Sequence, residues 1–438
     1  MNKNTLFLFI CITMLFLSFP EVISAAPDKK IKIGVIAPMK FTPGKEEWHA
    51  ATQAAEEINN EGGVLIKGIK YKIELVKADS NETLSVADAL SAMERLITVD
   101  KVNFITGGYR TEAVLGMQDL AADYEIIYIG GGGAPMLTER VAKNFSKYKY
   151  YFRAIHTNIA NVTTAGFMVN DMVIGKVREK LGIAKPKVAL LVDKVKIGDI
   201  MVRMMRSITP KMGAEIIGEW RPSTFTTDLT PELTAIKAAG AQVIYTFGTG
   251  PSSVFYSKQW GELKIPAAMV GGNVEAQRKN HWKLTGGKCE YVTICTTFGR
   301  AEITPKSIPF WDKHATRFKE YPGFQAGTYD VIYLLKEAVE RAGTLETEAM
   351  VKAIETTDYL GAQGRMVFYP NNHKWPHGTM WGPKHIPMVG LQWRNGELVA
   401  VWPDGMARLG DKRWGGVRFK GTVNYQLPPW VIKYWKGK

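Results

Sequence analysis

A chain of 438 residues, 46% hydrophobic and 22% charged, has room for two or three domains and the composition of a soluble globular protein with a sizeable core. Its formal charge of +14 comes from lysines and arginines scattered among acids, with no block of five or six. That pattern describes a solvated basic surface and argues against a nucleic-acid-binding protein.

The chain opens with Lys3 ahead of LFLFICITMLFLSF, an unbroken apolar run of 14 residues, followed by PEVISAAP. A basic start, an apolar middle and a small-residue end make the order of a secretory signal peptide, and the run is short for a membrane span. Cleavage after Ala25 fits best, because cutting after Ala26 would place Pro27 directly past the scissile bond. Cys11 lies inside the run rather than just beyond it, so the lipid-anchored pattern is absent. No later stretch approaches 18 apolar residues, and an exported, periplasmic chain is expected, with residues 1–25 removed.

Beyond that segment, IKIGVIAP (31–38) reads as a strand, and KEEWHAATQAAEEINNEGG (45–63) places Trp48, Ala51, Ala55 and Ile58 on one helical face before a double glycine. Strand patterns recur at 71–79, 102–108 and 126–129, with helical patterns carrying Val86, Leu90, Met93 and Ile97, then residues 111–124, between them. Strand and helix alternating at this rhythm imply a parallel sheet with helices on both faces. The rhythm then repeats: a long helical stretch (158–181), strands at 187–193, 214–220, 241–248 and 267–272, and helices between them. Two such sets predict an α/β protein of two similar lobes. A strand-like stretch at 290–298 and helices at 305–320, 325–342 and 346–357 follow both sets, so the chain must cross between lobes more than once. The boundaries expected are 31–153 plus 298–358 for the first lobe, 154–297 plus 359–403 for the second, and a basic, Trp-rich extension at 404–438 with no assigned lobe. After processing, Cys289 and Cys295 remain. If CEYVTICTTF is one extended strand, their Cα atoms stand about 20 Å apart and both are free thiols; a turn within it leaves the pairing open.

In open α/β sheets ligands sit beyond the carboxyl ends of the strands. Those positions here are 38–44, 106–112 and 130–135 in the first set, and 193–199, 247–253 and 271–275 in the second. Nearly all are rich in Gly, Ser, Thr or Pro, which lets backbone approach a small molecule. The four glycines Gly130–Gly133 raise the question of phosphate binding, but no Lys and Ser/Thr follow them directly, and no dinucleotide fingerprint follows the first strand. No nucleophile elbow, metalloprotease helix or paired-carboxylate motif occurs. His373, His377 and His385 have a spacing that could seat a metal, but Pro376 and Pro383 break any helix that would align them. No catalytic residue, cofactor or metal is therefore assigned. Arg110, after Tyr109 at a strand end, could grip a carboxylate bidentately, or could simply cap the helix that follows. Phe41 and Trp48 flank the first loop; Phe41 could cover an apolar part of a ligand, and Trp48 belongs to the helix's apolar stripe.

IKIGVIAPM, AAEEINNEGGV, IELVKADSNETLSVADALSAMERLI and IIYIGGGGAPMLTER, then LVDKVKIGD, TFGTG, GTYDVIYLLKEAVERAG and GRMVFYPNN resemble, in order, the substrate-binding proteins of branched-chain amino-acid ABC transporters. The resemblance spans residues 31 to about 403. It implies two Rossmann-like lobes with parallel central sheets, joined by a three-strand hinge (the type I periplasmic binding fold) and closing on a ligand. In that family hydroxyls and amides after the third and fourth strands hold the ligand's α-carboxylate, which corresponds here to Tyr109, Arg110 and Thr111, then Gly131, Gly132 and Gly133. A second-lobe aromatic corresponds to Ile197, so it is missing. The next loop corresponds to Gly248 and Thr249, and the acid that holds the α-ammonium falls at Asn273, with Glu275 two residues on. These departures suggest a ligand with a carboxylate or similar anionic group that need not be leucine, isoleucine or valine. The expected partners are that small molecule and a membrane permease, with the receptor itself monomeric. A periplasmic sensor serving a signalling receptor and a secreted α/β enzyme are the alternative readings.

Overall fold

The computed structural model describes residues 29–437. The expected signal peptide, its cleavage position after Ala25 and Cys11 lie outside the described residues.

The first lobe begins with β1 (Lys29–Ala37), in which Ile31, Ile33, Val35 and Ile36 are all buried. A run buried on both faces is what a strand covered by helices on each side requires. Helix α1 (Thr42–Asn60) turns Ala50, Ala51, Ala54, Ala55 and Ile58 inward, small side chains that let it pack closely on the sheet. Trp48 is partly buried against the same core, with Lys77 Nζ 4.9 Å from its ring centroid. A hairpin of β2 (Val64–Ile66) and β3 (Ile69–Asp79) follows, then α2 (Val86–Thr98), whose first turn is capped by Ser85 Oγ accepting from Asp88 N. Next come β4 (Phe104–Gly107), α3 (Thr111–Asp123), β5 (Ile127–Gly130), α4 (Met136–Lys143), α5 (Phe145–Tyr148) and β6 (Tyr151–Arg153). The sheet order is β2-β3-β1-β4-β5-β6, parallel throughout except for β2.

Helix α6 (Ile159–Leu181) leads into the second lobe, capped by Asn158 and ended by Gly182 in the left-handed conformation. Then come β7 (Lys187–Val192), α7 (Lys196–Ile208), β8 (Glu215–Trp220), α8 (Thr230–Ala238), β9 (Val243–Gly248), α9 (Ser252–Glu262), β10 (Ala268–Asn273), α10 (His281–Leu284) and β11 (Thr293–Thr296). The chain returns to the first lobe as α11 (Ser307–Phe318), α12 (Thr328–Ala342) and α13 (Thr347–Glu355), with α11 and α12 packed on α1. A small ribbon, β12 (Asp358–Leu360) with β13 (Arg365–Val367), comes next. Finally β14 (Val389–Arg394) and β15 (Glu397–Trp402) add antiparallel strands to the second sheet, whose order is β15-β14-β11-β10-β9-β7-β8.

The chain thus passes between the sheets three times, after β6, after β11 and before β14. Residues 359–379, expected in the second lobe, hydrogen-bond to the first. Asp330 accepts the N–H groups of Ala362 and Gln363, and Arg153 N donates to His377 O. His377 is fully buried, its Nδ1 against Tyr151 O and Nε2 against Glu355, so its ring pins this segment to β6. Among the described residues no group of three His, Cys, Asp or Glu side chains is placed to hold a metal ion.

The C-terminal extension attaches to the second lobe. Trp414 is fully buried against Trp402 (centroids 4.5 Å apart), Tyr425 and Leu427 join the same cluster, and α14 (Pro429–Lys436) brings Trp430 onto Trp260. Cys289 and Cys295 are both free. The extended stretch between them is shorter than expected: β11 covers only Thr293–Thr296, and Tyr291 takes a positive φ of 72°. Burial pushes both thiols up to about 12.

Candidate functional site

The first lobe presents the ends of β1, β3, β4 and β5 side by side, and two glycine turns make that possible. Gly107 ends β4 and Gly108 follows it, with φ of 117° and 86°, a region that strains any other residue. A Cβ on Gly107 would stand 2.1 Å from Ile36 O, and one on Gly131 would stand 2.0 Å from Gly108 O. Gly131 N donates to Gly107 O at 2.8 Å, which locks the second turn onto the first. Gly132 has φ of 70°, and Gly133 O accepts from Ile159 N at the start of α6. Among the described residues no acceptor receives the N–H of Gly132 or Gly133. The four glycines are thus required by close packing at Gly131 and by backbone conformation at Gly132, and they leave two amides unspent.

The Tyr109–Arg110–Thr111 turn starts α3, and its anion position is already filled from within. Fully buried Glu82 accepts from the N–H groups of Tyr109 (3.1 Å) and Arg110 (2.7 Å) and from Ser80 Oγ (2.8 Å). Arg110 Nη1 donates to the carbonyls of Glu82 and Thr83, and its Nε lies 3.6 Å from Glu112. The guanidinium therefore ties the loop after β3 to the helix. Thr111 is the first residue of α3 and half-buried. The Tyr109 ring remains 39% exposed; burial, then the charges of Glu46, Glu82 and Glu47, push its phenol up.

Two of those acids stand on the first turns of α1. Glu47 is fully buried, and neither carboxylate oxygen has a hydrogen-bond partner. Burial first, then Glu82 and Glu46, hold its pKa well above the usual carboxylate range. Glu46 accepts from Gln325 N at 3.1 Å, and burial pushes it up to about 7, against the opposing charge of Arg278. A Cβ on Gly323 would fall 1.9 Å from Glu46 Oε1, so the bare backbone there makes room for the carboxylate. The Gln325 side chain, 1% exposed, has no partner for Nε2 or Oε1 and reaches the neighbourhood of Gly131. His156 closes this corner: Nδ1 donates to Thr157 O (2.7 Å), the ring lies 4.4 Å from that of Phe324, and burial lowers it to about 4, so it is neutral.

At the strand ends of the second lobe, Asp193 is the organising group, immediately after β7 and fully buried. It accepts from Thr249 N (2.7 Å), Thr249 Oγ1 (3.1 Å), Ser252 Oγ (3.1 Å) and Tyr256 OH (2.5 Å). Gly248, where a Cβ would meet Ser253 Oγ at 2.7 Å, lets α9 start directly off β9. Asn273 spends its whole amide inside the lobe: Nδ2 donates to Ser253 O and Ser257 Oγ, and Oδ1 accepts from Ala276 N. Glu275 pairs with Arg278 at 3.0 Å. Ile197 is half-buried in the first turn of α7, and Phe41 caps α1 with its ring exposed.

The structure therefore brings Tyr109, Arg110, Thr111 and Gly131–Gly133 together at adjacent strand ends, and Gly248, Thr249, Asn273 and Glu275 at another adjacent pair. Their side chains, however, are largely committed to their own lobes. The groups with unspent capacity are Glu47, Glu46 and Gln325, none of which the strand-end rule selects. The two adjacent acids in KEEW were a weak signal, since acids near a helix start serve the helix dipole. Nothing in GFQAG marked Gln325.

The family model described as "Periplasmic binding protein" matches residues 30–382. A Leu/Ile/Val-binding protein homolog 7 of Brucella abortus (strain 2308) is 23% identical over 401 residues, covering 87% of this chain and 94% of the relative. Among solved structures, a putative branched-chain amino acid ABC transporter from Silicibacter pomeroyi superposes with a TM-score of 0.71 at 19% identity, over 92% of this chain and 100% of its own. A solute binding protein of an ABC transporter from Rhodopseudomonas palustris BisB5, in complex with 3,4-dihydroxy benzoic acid, gives 0.62 at 20% identity, over 84% of this chain and 95% of its own.

Proposed function

The chain belongs to the periplasmic binding protein family, and from that premise we propose that it is an exported receptor. It captures a small amino-acid-like or other carboxylate-bearing solute between its lobes and delivers it to an ABC transporter permease. The family is one of solute-binding proteins, not enzymes, and its name places its members in the periplasm. The observation that carries the reading is a pair of mainly parallel sheets linked by three chain crossings, with unspent polar groups beside the strand ends of the first: the N–H groups of Gly132 and Gly133 and the Gln325 amide. A solute lying there gains contacts from both lobes only when they close, so binding and closure are coupled. The printed ligand of the Rhodopseudomonas palustris neighbour, an aromatic acid, supports a solute range wider than aliphatic amino acids.

The test is a solute panel of amino acids, dicarboxylates and aromatic acids on the purified mature chain. Thermal shift, small-angle scattering and native mass spectrometry of copurified material are the readouts. A true solute present at about 100 times its Kd adds roughly 2.7 kcal/mol of stability and shrinks the particle. Chemical conversion of the bound compound, or the absence of any closing solute, would overturn the reading.

A further inference from the structure

Beside the strand ends of the first lobe there are acceptors to spare and few free donors. Glu47, Glu46 and Glu82 converge there from two segments of chain, with the Tyr109 ring beside them. Glu82 is fully used on two backbone N–H groups and a serine hydroxyl. Glu47 has no partner on either oxygen, although it is completely buried. The backbone N–H nearest it, that of Gly108, is already donated to Ile36 O. Glu46 has one bond, from Gln325 N.

An independent observation lies on another element. The Gln325 side chain is 1% exposed, reaches toward Gly131 and leaves its amide nitrogen and oxygen both unpartnered. Orphaned polar atoms of this kind are rare in protein interiors and call for a partner that the chain does not supply. The neighbouring cations do not supply it. Arg110 donates to two carbonyls, Arg278 pairs with Glu275, and Arg153, behind the glycine turn, donates to Ala134 O and Thr138 Oγ1. Bare backbone at Gly107 and Gly323 is what leaves space for the two α1 carboxylates, since a Cβ at either would stand within 2.7 Å of one of them.

We propose that Glu47 and Glu46 seat a positively charged group of the solute, an ammonium, amidinium or guanidinium, against the first lobe, with the Gln325 amide alongside. The proposal rests on the receptor reading above and names the chemistry of one end of its solute. A carboxylate elsewhere on the same molecule still finds the N–H groups of Gly132 and Gly133. The family position for an ammonium-binding acid in the second lobe is Asn273, whose amide is wholly committed to its own lobe; the cation seat has moved to the opposite wall.

The groups facing these acids set the pH behaviour. Glu47 faces Glu82, Glu46, Tyr109 and Tyr128; Glu46 faces Arg278, Glu320, Glu275 and Tyr109. A carboxyl held protonated in the free protein must lose its proton to receive a cation, so cation affinity rises with pH. The slope is about tenfold per pH unit for each proton released, below the carboxyl's pKa. A carboxylate solute gripped by protonated acids would show the reverse slope.

Isothermal titration calorimetry of the mature chain with L-arginine, putrescine, L-leucine and benzoate, at pH 5.5, 7 and 8.5, tests this, with Glu47→Gln and Glu46→Gln as variants. The expected result is binding of arginine or putrescine that tightens with pH. Either substitution should weaken it at least tenfold, and Glu46→Gln should flatten the slope near pH 7. Benzoate binding with none of the three ammonium-bearing compounds, or binding of those compounds that both variants leave within twofold, overturns the proposal while sparing the receptor reading. If none of the four and none of the wider solute panel closes the lobes, the receptor reading itself fails. Glu46 is only partly buried, so its variant remains informative should the Glu47 variant not fold.

Discussion

Asp193 offers the sharpest test of how the second lobe is held. Its carboxylate is fully buried and accepts four hydrogen bonds, from Thr249 N, Thr249 Oγ1, Ser252 Oγ and Tyr256 OH. Asp193→Ala strands the Thr249 N–H and two buried hydroxyls. At about 1–3 kcal/mol for each orphaned donor, less what rotation of the hydroxyls recovers, a loss of roughly 3–6 kcal/mol is expected. Asp193→Asn keeps the shape and removes the charge. Its oxygen must face Thr249, because a backbone N–H cannot turn round, and its NH2 then donates to Ser252 and Tyr256 hydroxyls, which can. What is lost is the charge assistance, about 1–3 kcal/mol. The order wild type, Asn, Ala therefore follows from which donors are free to rotate. Guanidinium unfolding followed by tryptophan fluorescence reads it, since Trp260 is fully buried on the same helix as Ser252 and Tyr256. Tyr256→Phe should cost about 1 kcal/mol alone and almost nothing further in the Ala background. Equal stabilities for Asn and Ala, or an additive Tyr256→Phe, would refute the hub. Because Asp193 also sets the Gly248–Ser252 turn, both variants should weaken solute binding.

Gly131→Ala drives a Cβ to 2.0 Å from Gly108 O; the two glycine turns must part, and a drop of about 1–3 kcal/mol with loss of solute binding is expected in thermal shift and calorimetry. A chain ended after Pro403 uncovers Trp402 and loses the buried Trp414, Tyr425, Leu427 and Val431. At about 1.5–3 kcal/mol for each large side chain the loss rivals a domain's whole stability, so the truncated chain should be insoluble, and a soluble one of unchanged melting temperature would show the extension to be dispensable. Burial holds the Cys289 and Cys295 thiols at about 12, so Ellman's reagent at pH 8 should label neither in the native chain and both after denaturation.

The two sheets are legible in the sequence wherever a strand is buried on both faces. In β1, β5, β7 and β10 burial selects runs rich in Ile, Val, Leu and Met, and glycines stand at or next to the ends of β5 and β10, where backbone must pass closely. Strands β2 and β6 are three residues each, too short for any period, and each exists only through its neighbours. The placement of residues 359–379 is illegible for a related reason. It depends on Asp330 reaching two N–H groups 32 and 33 residues away and on Arg153 pairing with His377. Such pairings leave no periodic trace. The extension was equally opaque: its tryptophans look like surface aromatics until Trp402, Trp414 and Trp381 are seen to share one cluster.

At the site, topology is readable and commitment is not. Strand ends mark where a solute can lie, because backbone groups there are free of the ladder. Whether a side chain at such a place is available depends on partners far away in sequence. Arg110 reads as an anion grip from its position alone, yet Glu82 and Thr83, 28 and 27 residues earlier, take its guanidinium. Asn273 is bound by residues 253 and 257 on the preceding helix. Charge misleads in the same way. The overall +14 describes the solvated surface, and an arginine at a strand end points toward an anionic solute, whereas three acids, at 46, 47 and 82, gather beside the first lobe's strand ends. Net charge is a sum over the surface and screens out within about 10 Å in salt; the field a solute meets inside the cleft is set by the few groups buried with it. The sign of the pH slope of binding is therefore the measurement that separates the two readings of this site, since it reports whether a proton leaves or stays when the solute arrives.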